Sequence, residues 1–374
     1  MSTDDPSKQD TLSQTRYLDT KTHKLRPNDP AVAHKTAVLN GYTYGYLHAL
    51  PPSTKRGTIV LIHGFPDLSF GWRYQIPHLS SLGFEVIAPD CLGYGRSDSP
   101  PTANISAYTY RRIADDIEAL CSQLGISSGI ILGGHDWGGA IVYRVSQFKR
   151  RLVAAVFVIC TPYEMPRPQY TPLRQLVAKQ IPNFAYQLHF TSGEIEEHVR
   201  SEREIRAFLN SLYGARAVNA DGSRGESAFD ANGRVNLDLL PRMGKSKLLS
   251  DDEMDYYVAE YARHGINGPL NWYRSREAMY LDDLDFFFDG PKTDADKYRD
   301  SVVGVEQPCL YVFATRDMAL QDWMTKSMAK RIPRLTRRDV QASHWALWER
   351  PAEVNRHIAE WLEKVVAVGE KSKL

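Results

Sequence analysis

Gly129-Ile-Ile-Leu-Gly-Gly-His-Asp-Trp-Gly-Gly139 reads as a short buried strand that runs through a cramped turn directly into a helix. Small residues must flank the turn, and Gly134, Gly138 and Gly139 supply them. Outward from it, Thr58-Ile-Val-Leu-Ile62, Phe84-Glu-Val-Ile-Ala88 and Val153-Ala-Ala-Val-Phe-Val158 are continuous apolar runs, the signature of strands covered on both faces. Between them lie helical stripes, Ile113/Ile117/Leu120/Leu124 and Ile141/Val142/Val145/Phe148. Buried strands alternating with amphipathic helices predict an α/β fold: a mostly parallel sheet flanked by helices. Upstream, His34–Val38 and Tyr42–Leu47 flank Asn40-Gly41, a hairpin signal.

The alternation stops near Pro162 and resumes with Cys309–Ala314, a helix near Asp322–Lys330, Leu335–Val340 and a last helix after Pro351. That helix carries Val354, Ile358, Trp361, Leu362 and Val365 on one face. The chain is therefore expected to divide into a loosely ordered arm (1–20), a core (21–161), a mainly helical inserted cap (162–300), and the rest of the core with a tail (301–374). Asn219–Ser227 reads as a polar loop interrupting the cap.

The 374 residues carry a net charge of +1 from well-mixed charges, which leaves no electrostatic footprint for nucleic acid. The longest apolar run, Leu152–Cys160, is nine residues, too short for a membrane span. The first twenty residues are polar, with no signal-peptide pattern. Cys91, Cys121, Cys160 and Cys309 are widely spaced and read as reduced, buried thiols, with no metal site. The chain ends Ser372-Lys373-Leu374, which reads as an address for a peroxisomal import receptor and places the protein in peroxisome, cytoplasm or both.

Asp136 stands where the strand–turn–helix presents a nucleophile. A helix cap is the structural alternative, but partners downstream favour chemistry. A carboxylate is ionised at neutral pH and attacks without a base; on an sp³ carbon it displaces a leaving group and forms an alkyl ester. Hydrolysing that ester requires a base for water and a group to orient the base. Asp317, just past one predicted strand, and His344, just past the next, follow in that order. His135 reads as a packing or hydrogen-bonding residue directed away from the nucleophile. His63-Gly64-Phe65-Pro66 ends the first buried strand, and the backbone N–H groups of Phe65 and Trp137 are the expected oxyanion donors.

These motifs, with Asp90-Cys-Leu-Gly-Tyr-Gly-Arg-Ser-Asp98 and His344-Trp345, resemble the soluble epoxide hydrolases of the α/β-hydrolase superfamily from about residue 25 to 366. Phe184-Ala-Tyr-Gln-Leu-His-Phe190 and Gly268-Pro-Leu-Asn-Trp-Tyr-Arg274 resemble the segments that carry that family's two lid tyrosines, by position Tyr186 and Tyr273. The resemblance implies opening of an oxirane to a vicinal diol. The two phenols would hold and protonate the departing oxygen, and water activated by His344 would release the product. It implies no metal or organic cofactor, and the many aromatic residues of the cap suggest an apolar substrate, a lipid or aryl epoxide. Residues before 30 are too few for the N-terminal phosphatase domain of the mammalian bifunctional relatives. The stretch 214–236 looks like an insertion, and Phe286-Phe-Phe288 in the acidic segment 282–300 fits no part of the family pattern. The alternatives are a haloalkane dehalogenase, which needs no paired phenols, a non-catalytic ligand-binding protein of the same fold, and an interaction protein using a patch at Phe286–Phe288.

Overall fold

The computed structural model describes residues 23–230, 233–288 and 304–371. The expected arm, the terminal tripeptide and part of the acidic segment (289–303) lie outside them. β1 (Ala33–Leu39) and β2 (Tyr42–Ala49) form an antiparallel hairpin in which Asn40 (φ 48°) and Gly41 (φ 96°) both take the left-handed conformation that a two-residue turn requires. β3 (Gly57–Ile62), β4 (Phe84–Pro89), β5 (Ile130–His135) and β6 (Val153–Ile159) follow. Their residues are almost all buried, and each large aliphatic side chain so placed contributes about 1.5–3 kcal/mol.

The chain then leaves the sheet for a mainly helical insertion. This contains a two-stranded ribbon, β7 (Arg216–Val218) and β8 (Arg224–Ser227), before the chain returns as β9 (Cys309–Ala314) and β10 (Leu335–Val340). The sheet order is β1-β2-β4-β3-β5-β6-β9-β10, parallel from β4 onward. β10 forms an edge and carries Arg337, Arg338 and Asp339, charges that discourage further strand pairing.

Two local expectations need correction. The polar loop Asn219–Ser227 is the ribbon's turn plus β8: Asn219 donates its N–H to the Ser223 carbonyl (3.0 Å), and Asp221 Oδ1 accepts from the Ser223 N–H (2.9 Å). Both strands are largely solvated, so no apolar alternation marked them. The helix expected near Asp322–Lys330 is broken into a 3-10 turn, Asp322–Thr325, and a short helix, Met328–Arg331. Only Thr325 and Met328 of these residues are buried, too narrow a stripe to support a continuous helix.

Helices α1 (Tyr110–Gln123) and α2 (Trp137–Phe148) bury Ile113, Ile117, Leu120, Ile141, Val142 and Val145 of the predicted stripes, while Leu124, just past α1, and Phe148 are half-buried. In the insertion, α3 (Glu202–Leu212) and α4 (Asp251–Ala262) each begin with a reciprocal capping box, Ser201/Glu204 and Ser250/Glu253. α5 (Asn267–Arg274) and α6 (Arg276–Phe288) follow, and α7 (Pro351–Lys371) closes over the sheet with Val354, Ile358, Trp361 and Leu362 buried. Among the described residues, no helix is long and apolar enough to cross a membrane.

The seam between insertion and sheet domain is tied by buried charges. Arg144 of α2 grips both carboxylate oxygens of Asp283 in α6 (2.8–3.0 Å). Arg73, fully buried under the Trp348 ring, meets Glu253 of α4 at 2.9 Å. Phe286 and Phe287 pack on Phe148 of α2 (ring centroids 4.7 and 6.0 Å), and Phe288 is buried. Phe286 and Phe287 thus belong to the seam, whereas Phe288 packs with Leu284 in a small cluster of its own.

Candidate active site

β5 and α2 meet at Asp136, whose backbone (φ 52°, ψ −122°) lies in a region that side chains rarely occupy. Such strain persists only where the surroundings impose it. Here close packing does so: a Cβ on Gly138 would lie 1.9 Å from the Ile62 carbonyl oxygen, so the helix starts hard against β3. The Asp136 side chain makes no cap hydrogen bond to α2. Thr161 Oγ1 donates to the Asp136 carbonyl (2.7 Å), which fixes the turn from the β6 side.

The Asp136 carboxylate faces the end of β3. Phe65 donates its N–H to Oδ1 at 2.8 Å, and the adjacent Trp137 N–H also favours the charged form of this carboxylate. The two expected oxyanion donors therefore converge on one group. Phe65 stands at a cis peptide bond to Pro66, and His63 behind it accepts the Cys91 N–H on Nε2 (2.9 Å) while Nδ1 lies 2.8 Å from the Gly64 carbonyl. His63, Gly64 and Pro66 thus shape the loop that aims the Phe65 N–H.

His344 comes from the loop after β10, and its Nε2 is 3.6 Å from Asp136 Oδ2. Its Nδ1 is 2.7 Å from Asp317 Oδ2, in the loop after β9. Asp317 Oδ1 accepts the N–H groups of Ala319 (2.8 Å) and Leu320 (3.0 Å), so its orientation is fixed. Burial opposes an imidazolium at His344, but the charge and hydrogen bond of Asp317, then the charge of Asp136, outweigh it and raise the group to about 9. Burial raises Asp136, against the His344 charge and the two N–H donors. Burial also works against the charged form of Asp317, yet His344 and the loop N–H groups hold its pKa below the usual carboxylate value.

Tyr186 and Tyr273 lie on different elements of the insertion, the short helix Tyr186–Phe190 and α5, with ring centroids 6.3 Å apart. Burial, and then for Tyr186 the Asp136 charge, raises both phenols, so each stays protonated beside the carboxylate. Tyr273 stands edge-on to Trp137 (5.3 Å) and to Phe65 (5.2 Å). Its helix is seated by Trp272, whose indole donates to the Leu92 carbonyl (3.0 Å), and by Gly268, where a Cβ would lie 2.5 Å from Gly93 Cα. The loop Asp90–Asp98 is thus the floor under α5. Asp136, His344, Asp317 and both tyrosines come together in one place with both N–H donors.

The α/β-hydrolase-fold family matches residues 57–351. An epoxide hydrolase of Neurospora crassa is 37% identical over 351 residues, covering 91% of this chain and 98% of that protein. The chain belongs to the epoxide hydrolases of the α/β-hydrolase fold. Bifunctional epoxide hydrolase 2 of Rattus norvegicus is 31% identical over 364 residues, and the chain spans 61% of its length. A solved epoxide hydrolase variant of Vigna radiata superposes with a TM-score of 0.69 at 26% identity, covering 89% of this chain and 99% of that one.

Some residues of this epoxide hydrolase that shape the site gave little signal in the sequence. Asp67, buried just after the loop His63–Pro66, accepts Tyr257 O–H (2.6 Å) and Leu68 N–H (2.8 Å), and burial lifts it to about 7 against those bonds. Its position directly after His63–Pro66 was the available clue. Phe190 packs against Phe65, Tyr186 and Tyr273 (5.1–5.3 Å) and forms a wall shared by the two phenols and the loop at Phe65. His135 sends Nε2 to the His344 carbonyl (2.8 Å), and its ring lies 4.9 Å from the His344 ring. Together with Cys160 these histidines bring three ligand-type atoms within 4.8 Å. However, the Cys160 thiol and His135 Nε2 both contact the His344 carbonyl, and His344 Nδ1 is held by Asp317. Those donors are engaged in holding His344.

Proposed function

We propose that this protein opens apolar epoxides to vicinal diols in two steps, through an ester on Asp136. The observation that carries the reading is an ionisable carboxylate, at a glycine-flanked turn, with two protonated phenols held beside it by the insertion. An alkoxide is a poor leaving group, and two phenols that can hydrogen-bond and protonate it answer that difficulty. Asp136 attacks a ring carbon while Tyr186 and Tyr273 take the oxygen. The ester carries no charge at Asp136, so one of the anions that raise His344 disappears and its pKa falls. His344, oriented by Asp317, is then able to take a proton from water. The Phe65 and Trp137 N–H groups hold the resulting oxyanion.

On this reading the helical insertion acts as a cap, and its aromatic lining favours lipid or aryl epoxides. Ser372-Lys373-Leu374 acts as the address for a peroxisomal import receptor, with cytoplasm as the other location. The test is incubation with a lipophilic epoxide and, separately, a haloalkane, recording diol, halide and intact protein mass. Diol from the wild type, none from Asp136→Ala, and an adduct of substrate mass on His344→Gln support the two-step route. Halide without diol would make the protein a dehalogenase, and ligand binding without either product would make it a binding protein.

A further inference from the structure

The stretch 214–236 has no part in the cycle just described, yet its C-terminal limb lies against the segment that carries Tyr186. That limb is a small self-bonded turn: Asp230 donates its N–H to the Arg234 carbonyl (2.9 Å), and Arg234 N–H donates back to Asp230 Oδ1 (2.8 Å). Asn236 N–H donates to the Ala228 carbonyl (2.7 Å), and Phe229 bridges to Val235.

Two contacts join the turn to the lid helix. Val235 donates its N–H to His189 Nδ1 at 3.1 Å, and His189 is only 4% exposed. The ring's other nitrogen faces Glu194 Oε2 at 3.2 Å, and Arg234 holds the same oxygen at 2.9 Å. Gly233 makes the second contact. With φ at +76°, a Cβ there would stand 3.0 Å from the Tyr186 backbone nitrogen and 3.4 Å from its Cβ. His189 sits three residues after Tyr186, on the same short helix, next to the wall residue Phe190. A helix of five residues cannot hold itself in place, so its position must come from such contacts.

We propose that residues 228–230 and 233–236 form a brace for the lid, with His189 as the positioning residue through which the brace sets Tyr186 over the epoxide oxygen. The inference rests on the reading of Tyr186 as a ring-opening phenol. Nδ1 must be the unprotonated nitrogen to accept from Val235, so the brace uses the neutral imidazole with its proton on Nε2, facing Glu194. An Asn side chain can place an oxygen close to Nδ1 and keep this bond, whereas Phe keeps the volume and loses it.

The test separates the two chemical steps. On the His344→Gln background, stopped-flow mixing with an aryl epoxide and intact-mass detection reads ester formation. On the His344 background, single turnovers read ester hydrolysis. His189→Phe is expected to slow ester formation by about tenfold to 100-fold and leave hydrolysis within about threefold, with His189→Asn restoring most of the loss. Gly233→Ala, which presses on the Tyr186 backbone, is expected to give the same selective loss and serves if His189→Phe does not fold. Ester formation at the wild-type rate in the variant, or equal loss in both steps, would overturn the brace. Absence of diol from the wild type would instead overturn the epoxide reading beneath it.

Discussion

Asp136 and His344 share a charge balance that changes during the proposed cycle. In the free enzyme the imidazole lies between two carboxylates and is raised to about 9, so below that pH the imidazolium is the dominant form. Esterification of Asp136 removes one carboxylate, and the base required for hydrolysis appears as its pKa falls. Ester hydrolysis should therefore rise with pH through an apparent pKa below about 9, whereas the His344 titration in the free enzyme, followed by imidazole NMR, should lie near 9. Coincident values would remove the coupling. Asp317→Asn withdraws the other negative charge and the orienting acceptor at 2.7 Å. It should slow hydrolysis by about 10³–10⁴-fold and ester formation much less, as single-turnover measurements of the two steps would show.

At the scale of elements, α5 and α6 show how the insertion is registered on the sheet domain. Tyr273 reaches the site because Trp272, one residue before it, is pinned to Leu92. Trp272→Phe removes that hydrogen bond, leaves the Leu92 carbonyl without its partner, and should destabilise by about 1–3 kcal/mol in denaturant unfolding. A larger effect is expected at Arg144, whose guanidinium meets both oxygens of Asp283. Asp283→Asn leaves a buried cation uncompensated and should cost about 3–5 kcal/mol. Replacing both partners together, as Arg144→Met with Asp283→Leu, should cost less than the single change, because no unpaired charge remains.

For the whole molecule, the same seam decides how insertion and sheet unfold. Arg73–Glu253 and Arg144–Asp283 tie the two parts at separated points, and Phe286 and Phe287 pack on Phe148 of α2. Unfolding should be a single cooperative transition, with aromatic near-UV signals from the insertion lost together with far-UV signals from the sheet. Glu253→Gln should shift that transition down by about 3–5 kcal/mol without splitting it, and two separated transitions in differential scanning calorimetry would contradict the picture.

The sequence by itself determined the sheet and singled out the candidate reacting groups. Continuous apolar runs have few alternatives to buried strands. A glycine-flanked aspartate between strand and helix restricts both the local backbone and the chemistry, and the order Asp136, Asp317, His344 was readable from residue types in their local settings. The ribbon at β7–β8 was not legible, because strands of three and four residues with only Ala217 buried carry too little apolar pattern to mark them. The break after Thr325 was hidden for a related reason, since helical spacing does not reveal how little of the stripe is buried. Tertiary structure alone decided the distances from Asp136 to its donors, the raised pKa of His344, and the partners of Phe286–Phe288. It also placed Gly233 beside Tyr186 and Val235 beside His189. Those properties depend on through-space contacts between segments tens to hundreds of residues apart, and such contacts exist only once the chain is packed.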